Sequence, residues 1–121
     1  MAAPEFVACD FGAGSGRLIL GTLSDSTVSL KDIHRFNNRE VEILDHYYWD
    51  LPHLFAELKQ GLSRLRSEGH REISSIGVDT WGVDFGLIAR DGTVLGNPVA
   101  YRDPRTDGMM ERAFELMPRK E

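Results

Sequence analysis

The chain has 121 residues, 41% of them hydrophobic and 27% charged, with a net charge of −5. That is enough for one soluble domain with a buried core, and the scattered Lys and Arg residues argue against a nucleic-acid surface. The single cysteine, Cys9, excludes an intramolecular disulfide, and no apolar stretch is long enough to span a membrane.

The N-terminus "MAAPEFVACD" lacks a basic region followed by a long apolar run, so no secretion signal is read and a cytoplasmic α/β domain is expected. Phe6 to Phe11 is apolar except for Asp10 and reads as a strand buried on both faces. Arg17 to Leu23 reads as a second strand, "SDS" at Ser24 to Ser26 as a turn, and Thr27 to Phe36 as a third strand. Asn37 to Glu40 opens a loop, and Val41 to Trp49 receives no assignment. A helix follows, capped by Asp50, with Pro52 tolerated in its first turn and Gly69 as its stop. Its expected apolar stripe is Leu51, Leu54, Phe55, Leu58, Leu62 and Leu65. Ile73 to Val78 reads as a fourth strand ending at Asp79. Asp91-Gly92 lies between apolar runs and predicts a hairpin. A last helix is expected near Asp103-Pro104, with Met109, Met110, Ala113, Phe114 and Met117 as a core-filling face and Pro118 as its stop.

The stretch "CDFGAGSGR" (Cys9 to Arg17) is rich in glycine after a strand, as phosphate loops are. A Walker-type loop needs a lysine that is not there. A dinucleotide fingerprint needs a third glycine where Arg17 stands, although Asp32 sits near the spacing of a ribose-binding acid. Only seven residues separate Gly16 from the "SDS" turn, too few for a crossover helix. The chain must return as a hairpin. Glycines there permit positive φ and close approach of phosphate oxygens to backbone N–H groups. Ser15 can add a hydroxyl and Arg17 a charge-assisted bond, while Asp10 can hold Mg²⁺ through water. A plain glycine hairpin with Asp10 capping a turn explains the same residues, and spacing leaves both readings open.

A second cluster, "GVDTWGVDFG" (Gly77 to Gly86), places two acids and a tryptophan after the fourth strand. Ligands of open α/β sheets bind beyond the carboxyl ends of strands, where Asp10 and Asp79 meet if strands one and four are parallel neighbours. Carboxylates and a ring suit a polyol. Turn capping by Asp79 and Asp84 and core packing of Trp81 are the plainer alternatives.

Four stretches, "DFGAGSGR", "IHRFNN" (Ile33 to Asn38), "DTWGVDF" (Asp79 to Phe85) and "VAYRDPRT" (Val99 to Thr106), together resemble the start of the rhamnulokinases. These belong to the FGGY carbohydrate kinases, within the actin-like ATPase superfamily. The resemblance runs from about Phe6 to Pro118 and implies the N-terminal part of an actin-like, ribonuclease H-like α/β domain. The implied sheet is mixed: antiparallel strands one to three, a crossover helix and a parallel fourth strand. It implies transfer of phosphate from ATP, with Mg²⁺, to the 1-hydroxyl of L-rhamnulose. Carried over by position, Ala13, Gly14, Ser15, Gly16 and Arg17 match the nucleotide-phosphate loop and Asp10 the metal-linked acid. Gly82 matches a sugar-contacting position, with Asp79, Thr80 and Trp81 beside it and Tyr101 and Asp103 on the sugar side. Gly14 departs from the family, which commonly has serine there.

The same resemblance places the catalytic base in a later motif and the adenine site on a second domain. The chain is therefore expected to be part of an N-terminal kinase domain, inactive alone and prone to self-association through open sheet edges. Rival readings are another FGGY kinase, for a ketopentose, fuculose or glycerol, and a non-catalytic interaction module. The histidines His34, His46, His53 and His70 show no metal spacing, and His34 is expected to be structural. Cys9 is expected to be a small buried hydrophobe.

Overall fold

The computed structural model describes residues 3–117. In chain order the elements are β1 (Glu5–Phe11), β2 (Ser15–Ser24), β3 (Thr27–Asn37), β4 (Glu40–Ile43), β5 (His46–Trp49), α1 (Leu51–Ser67), β6 (Ile73–Thr80) and α2 (Met109–Leu116). They divide into two compact units: residues 3–39 with 50–83, and residues 40–49 with 84–117.

The first unit is a four-stranded sheet ordered β3-β2-β1-β6, with α1 on one face. β1, β2 and β3 are antiparallel neighbours, and β6 runs parallel to β1. This is the mixed sheet the sequence implied. The β2–β3 turn is made by Asp25 (φ 46°) and Ser26 (φ 66°), two consecutive left-handed residues whose twist suits a tight hairpin. Val7, Cys9, Leu18, Leu20, Ile33 and Leu65 form the core, with Phe11, Leu58, Leu62 and Ile73 packed against it. Burial also pushes the Cys9 thiol up from its ordinary pKa, which keeps it protonated and inert.

β1 was expected to be buried on both faces. Instead Val7 and Cys9 are buried while Phe6 and Ala8 are exposed, because α1 covers one side only.

Asp50 caps α1 by accepting a bond from the His53 N–H at 3.0 Å. Gly69 (φ 97°) ends it: its N–H reaches the Arg66 carbonyl and the His70 N–H the Leu65 carbonyl, a Schellman closure. The buried stripe is the expected one except at Phe55, with Leu58 and Leu62 packed against the core. Leu54, Gly61 and Leu65 are buried, whereas Phe55 is 58% exposed with the Lys59 ammonium over its ring. Gly61 joins the stripe and sets how closely the helix packs. A Cβ there would stand 2.6 Å from Leu18 Cδ2, so only glycine lets the helix approach β2 so closely.

In the second unit, β4 and β5 pair as a hairpin over Leu44 (φ 51°) and Asp45 (φ 65°). The sequence hid this turn, since neither residue is a glycine or asparagine. Residues 98–100 add bonds to its β5 side: Trp49 N–H to the Pro98 carbonyl and Ala100 N–H to the Tyr47 carbonyl, both 2.9 Å. The Asp91-Gly92 turn forms, with Gly92 at φ 89°, but only the Ile88–Val94 bridge extends it, so no regular strands flank it.

The last helix starts later than expected. Pro104–Thr106 is a single 3-10 turn, and Asp107 (extended) and Gly108 (φ 70°) separate it from α2. The methionines do not fill a core: no residue of α2 is buried, and Met110 and Met117 are 68% and 74% exposed. Pro118 lies outside the described residues.

Candidate functional site

The glycine loop is a hairpin, as the short return segment required. β2 begins at Ser15, so no helix follows Gly16, and the dinucleotide reading is excluded. Its glycines are needed for close approach and not for positive φ, since none of Gly12, Gly14 and Gly16 is left-handed. The Gly12 N–H donates to the Ser15 carbonyl at 2.8 Å, and a Cβ on Gly12 would stand 2.7 Å from that same oxygen. Gly16 lies beneath the Phe36 ring, which a Cβ would meet at 2.1 Å. Gly14 has open space around its missing Cβ, so the family's serine would fit.

Register builds the charged row beside the loop. Asp10 stands opposite Arg17 on β2 and opposite Asp79 on β6, so three strands bring Arg17, Asp10 and Asp79 side by side at one end of the sheet. Arg17 Nε donates to Asp10 Oδ2 at 2.8 Å. Both side chains are about two-fifths exposed (42% and 38%), and a pair that wet contributes only about 0–1 kcal/mol. An arriving phosphate can therefore take the guanidinium from Asp10 at little cost. Among the described residues no group of three His, Cys, Asp or Glu side chains could hold a metal ion. The oxygen of Asp10, with Asp79 beside it, suits a Mg²⁺ that keeps most of its water and arrives on phosphate oxygens.

Asp79 and Thr80 close β6 exposed, Trp81 follows half-buried, and Gly82 is exposed. Asp79 and Thr80 are paired at the carboxyl end of the edge strand, and Trp81 and Gly82 continue beyond it.

Tyr101 and Asp103 belong to the second unit. Tyr101 is 43% exposed, with its ring 6.4 Å from that of Trp49 and the Arg102 guanidinium over it. Asp103 is buried and fully engaged: its carboxylate accepts from the Tyr47 N–H at 2.8 Å, the Arg105 N–H at 3.0 Å and His46 Nδ1 at 3.1 Å. Burial raises its pKa, but these donors outweigh burial and hold it below the usual carboxylate range. In the same unit the Trp49 indole, 1% exposed, donates to Asp84 Oδ2 at 2.6 Å.

One group was missed as a neighbour of the loop. Asn38, inside the quoted "IHRFNN", is 4% exposed and bonds the glycine loop. His34, 5% exposed, bonds Glu57 of α1 through Nε2, which bears out its structural reading. No sequence signal pairs residues so far apart.

No protein-family model matches the chain. It is 45% identical to the rhamnulokinase of Bacteroides thetaiotaomicron over 117 residues, covering 97% of this chain and 24% of that protein. It is 45% identical to the rhamnulokinase of Halalkalibacterium halodurans, over 90% of this chain and 23% of that protein. Among solved structures, a gluconate kinase from Lactobacillus acidophilus superposes with a TM-score of 0.76 at 11% identity, over 95% of this chain and 23% of that one. A glycerol kinase from Plasmodium falciparum with ADP gives 0.64 at 15% identity, over 99% and 24%. The fold is that of the N-terminal domain of FGGY sugar kinases, of the actin-like ATPase class. By sequence over nearly its whole length the chain belongs with the rhamnulokinases, and it spans under a quarter of the length of those it matches.

Proposed function

We propose that these residues serve, within a longer polypeptide, an ATP-dependent kinase that phosphorylates the 1-hydroxyl of L-rhamnulose to L-rhamnulose 1-phosphate in the cytoplasm. One observation carries the reading: a glycine hairpin beside the Arg17–Asp10–Asp79 row, in a chain 36–46% identical to rhamnulokinases.

In the transfer, the sugar oxygen bonds to the γ-phosphorus, the bridging bond to ADP breaks, and the hydroxyl proton passes to a base. Such chemistry depends on positioning and on neutralising charge. Ala13 and Ser15 would present backbone N–H groups to the phosphates, Gly14 and Gly16 would leave room for their approach, and Arg17 would add a cation. Asp10 would orient water around Mg²⁺, whose role when bound is to neutralise phosphate charge. Asp79, Thr80, Trp81 and Gly82 would meet the sugar. Asp103 contributes by holding the 101–105 backbone, since its oxygens are already occupied. No acid here is assigned as the base. The 121 residues are proposed to be part of an N-terminal kinase domain, to be inactive alone, and to self-associate through the open edge of β6.

A coupled assay for ADP release, with L-rhamnulose and Mg-ATP, tests the reading. The 121-residue chain should show no turnover, and a chain continued to the relatives' length should be active on L-rhamnulose. Turnover by the short chain well above its Asp10→Ala variant would overturn the inactivity. Preference of the longer chain for a ketopentose, fuculose or glycerol would overturn the substrate.

A further inference from the structure

We propose that Asn38 is a positioning residue that sets the direction of the loop's phosphate-facing amides; the inference rests on reading the loop as a phosphate clamp. Asn38 grips the hairpin twice. Its Nδ2 donates to the Gly12 carbonyl at 2.8 Å, and its backbone N–H donates to the Gly14 carbonyl at 3.2 Å. It is 4% exposed, so these bonds are sheltered from competing water.

The consequence follows from peptide geometry. The peptide bonds of this loop are trans, and in a trans unit the C=O and the next N–H point to opposite sides. Drawing the Gly12 oxygen toward Asn38 turns the Ala13 N–H away from it. Drawing in the Gly14 oxygen does the same for the Ser15 N–H. One residue, 26 positions beyond Gly12, thus sets two alternate loop amides on the side away from β3 before any anion arrives. Donors held in place need no reordering when they bind, which strengthens binding without any new contact. Phe36 assists, since its ring over Gly16 fixes the end of β3 from which Asn38 projects.

The test uses the 121-residue chain, labelled with ¹⁵N and titrated with Mg-ADP and separately with tripolyphosphate. In the wild type, the Ala13 and Ser15 amide resonances should shift most. Asn38→Ala should weaken binding of both probes about tenfold, as loss of a sheltered hydrogen bond does. Asn38→Asp, which keeps the shape but loses the Nδ2 donor, should weaken it as well. Affinities are compared in variants whose Leu18 and Leu65 methyl resonances stay at wild-type positions. Wild-type affinity in such a variant, with wild-type Ala13 and Ser15 shifts, would overturn the inference and leave the clamp standing. Loss of the fold in both variants would also overturn it, since Asn38 would then be a folding residue. Absence of any wild-type shift would overturn the clamp and the inference together.

Discussion

Gly12 and Gly14 stand two residues apart and tolerate opposite changes. A methyl group on Gly12 would press on the Ser15 backbone oxygen at 2.7 Å, which cannot move without breaking the turn, while Gly14 faces open space. Gly12→Ala should therefore cost about 1–3 kcal/mol, as overpacking does, and Gly14→Ser should change stability by no more than about 0.5 kcal/mol. Urea unfolding of the two variants measures the contrast; equal midpoints would show that the loop relaxes around Gly12. That glycines were needed here was legible in the sequence. Why each was needed was not, because the neighbours that exclude a side chain are the loop's own carbonyl for Gly12 and a ring from β3 for Gly16.

Among the elements, the segment 101–105 shows most clearly how burial changes a residue's part. Asp103 reads from "YRD" as a site residue, yet it ties Tyr47 of β5 to the turn at Pro104–Thr106. Its folded pKa lies below the unfolded value, so the stability it contributes is whole above the ordinary carboxylate range. That stability is lost as pH falls through the lowered folded value. Thermal unfolding followed by the Trp49 indole resonance should show Asp103→Asn less stable than wild type near neutrality. The gap should close as the pH drops below about 4. A gap that stayed constant with pH would mean the charge of Asp103 is not what holds the turn. The β4–β5 hairpin was illegible for a related reason. Leu44 carries a left-handed angle that its own chemistry disfavours and Asp45 one that it tolerates, and pairing of the strands holds both.

At the scale of the whole molecule, the two edges of the sheet differ. β3 carries Lys31, Asp32 and Arg35, and its pairing with β2 is interrupted by a register shift, both features that discourage further strands. β6 has no lysine and no proline, and its single charge, Asp79, stands near its end. Ile76 and Val78 lie in register with the buried Val7 and Cys9, yet are 52% and 62% exposed, because α1 does not reach over β6. The chain should therefore show a mass that rises with concentration in light scattering, and Val78→Lys should return it to monomer. A wild-type monomer across a wide range of concentration would count against the β6 edge as a contact surface.

Local chemistry alone determined the strands on either side of the glycines, the capped and terminated helix, the fourth strand ending in an acid, and the hairpin nature of the loop. Each of these depends on residues within a turn or a short run of one another, where dihedral preference and periodicity act. The tertiary structure decided the rest: that Phe55 leaves the stripe of α1 and Gly61 joins it, that Asp103 is held and not offered, that the α2 methionines are exposed, and that Asn38 grips the loop. Those outcomes depend on contacts between residues far apart in the chain. Packing and hydrogen-bond geometry select such contacts only once the strands of each unit stand side by side.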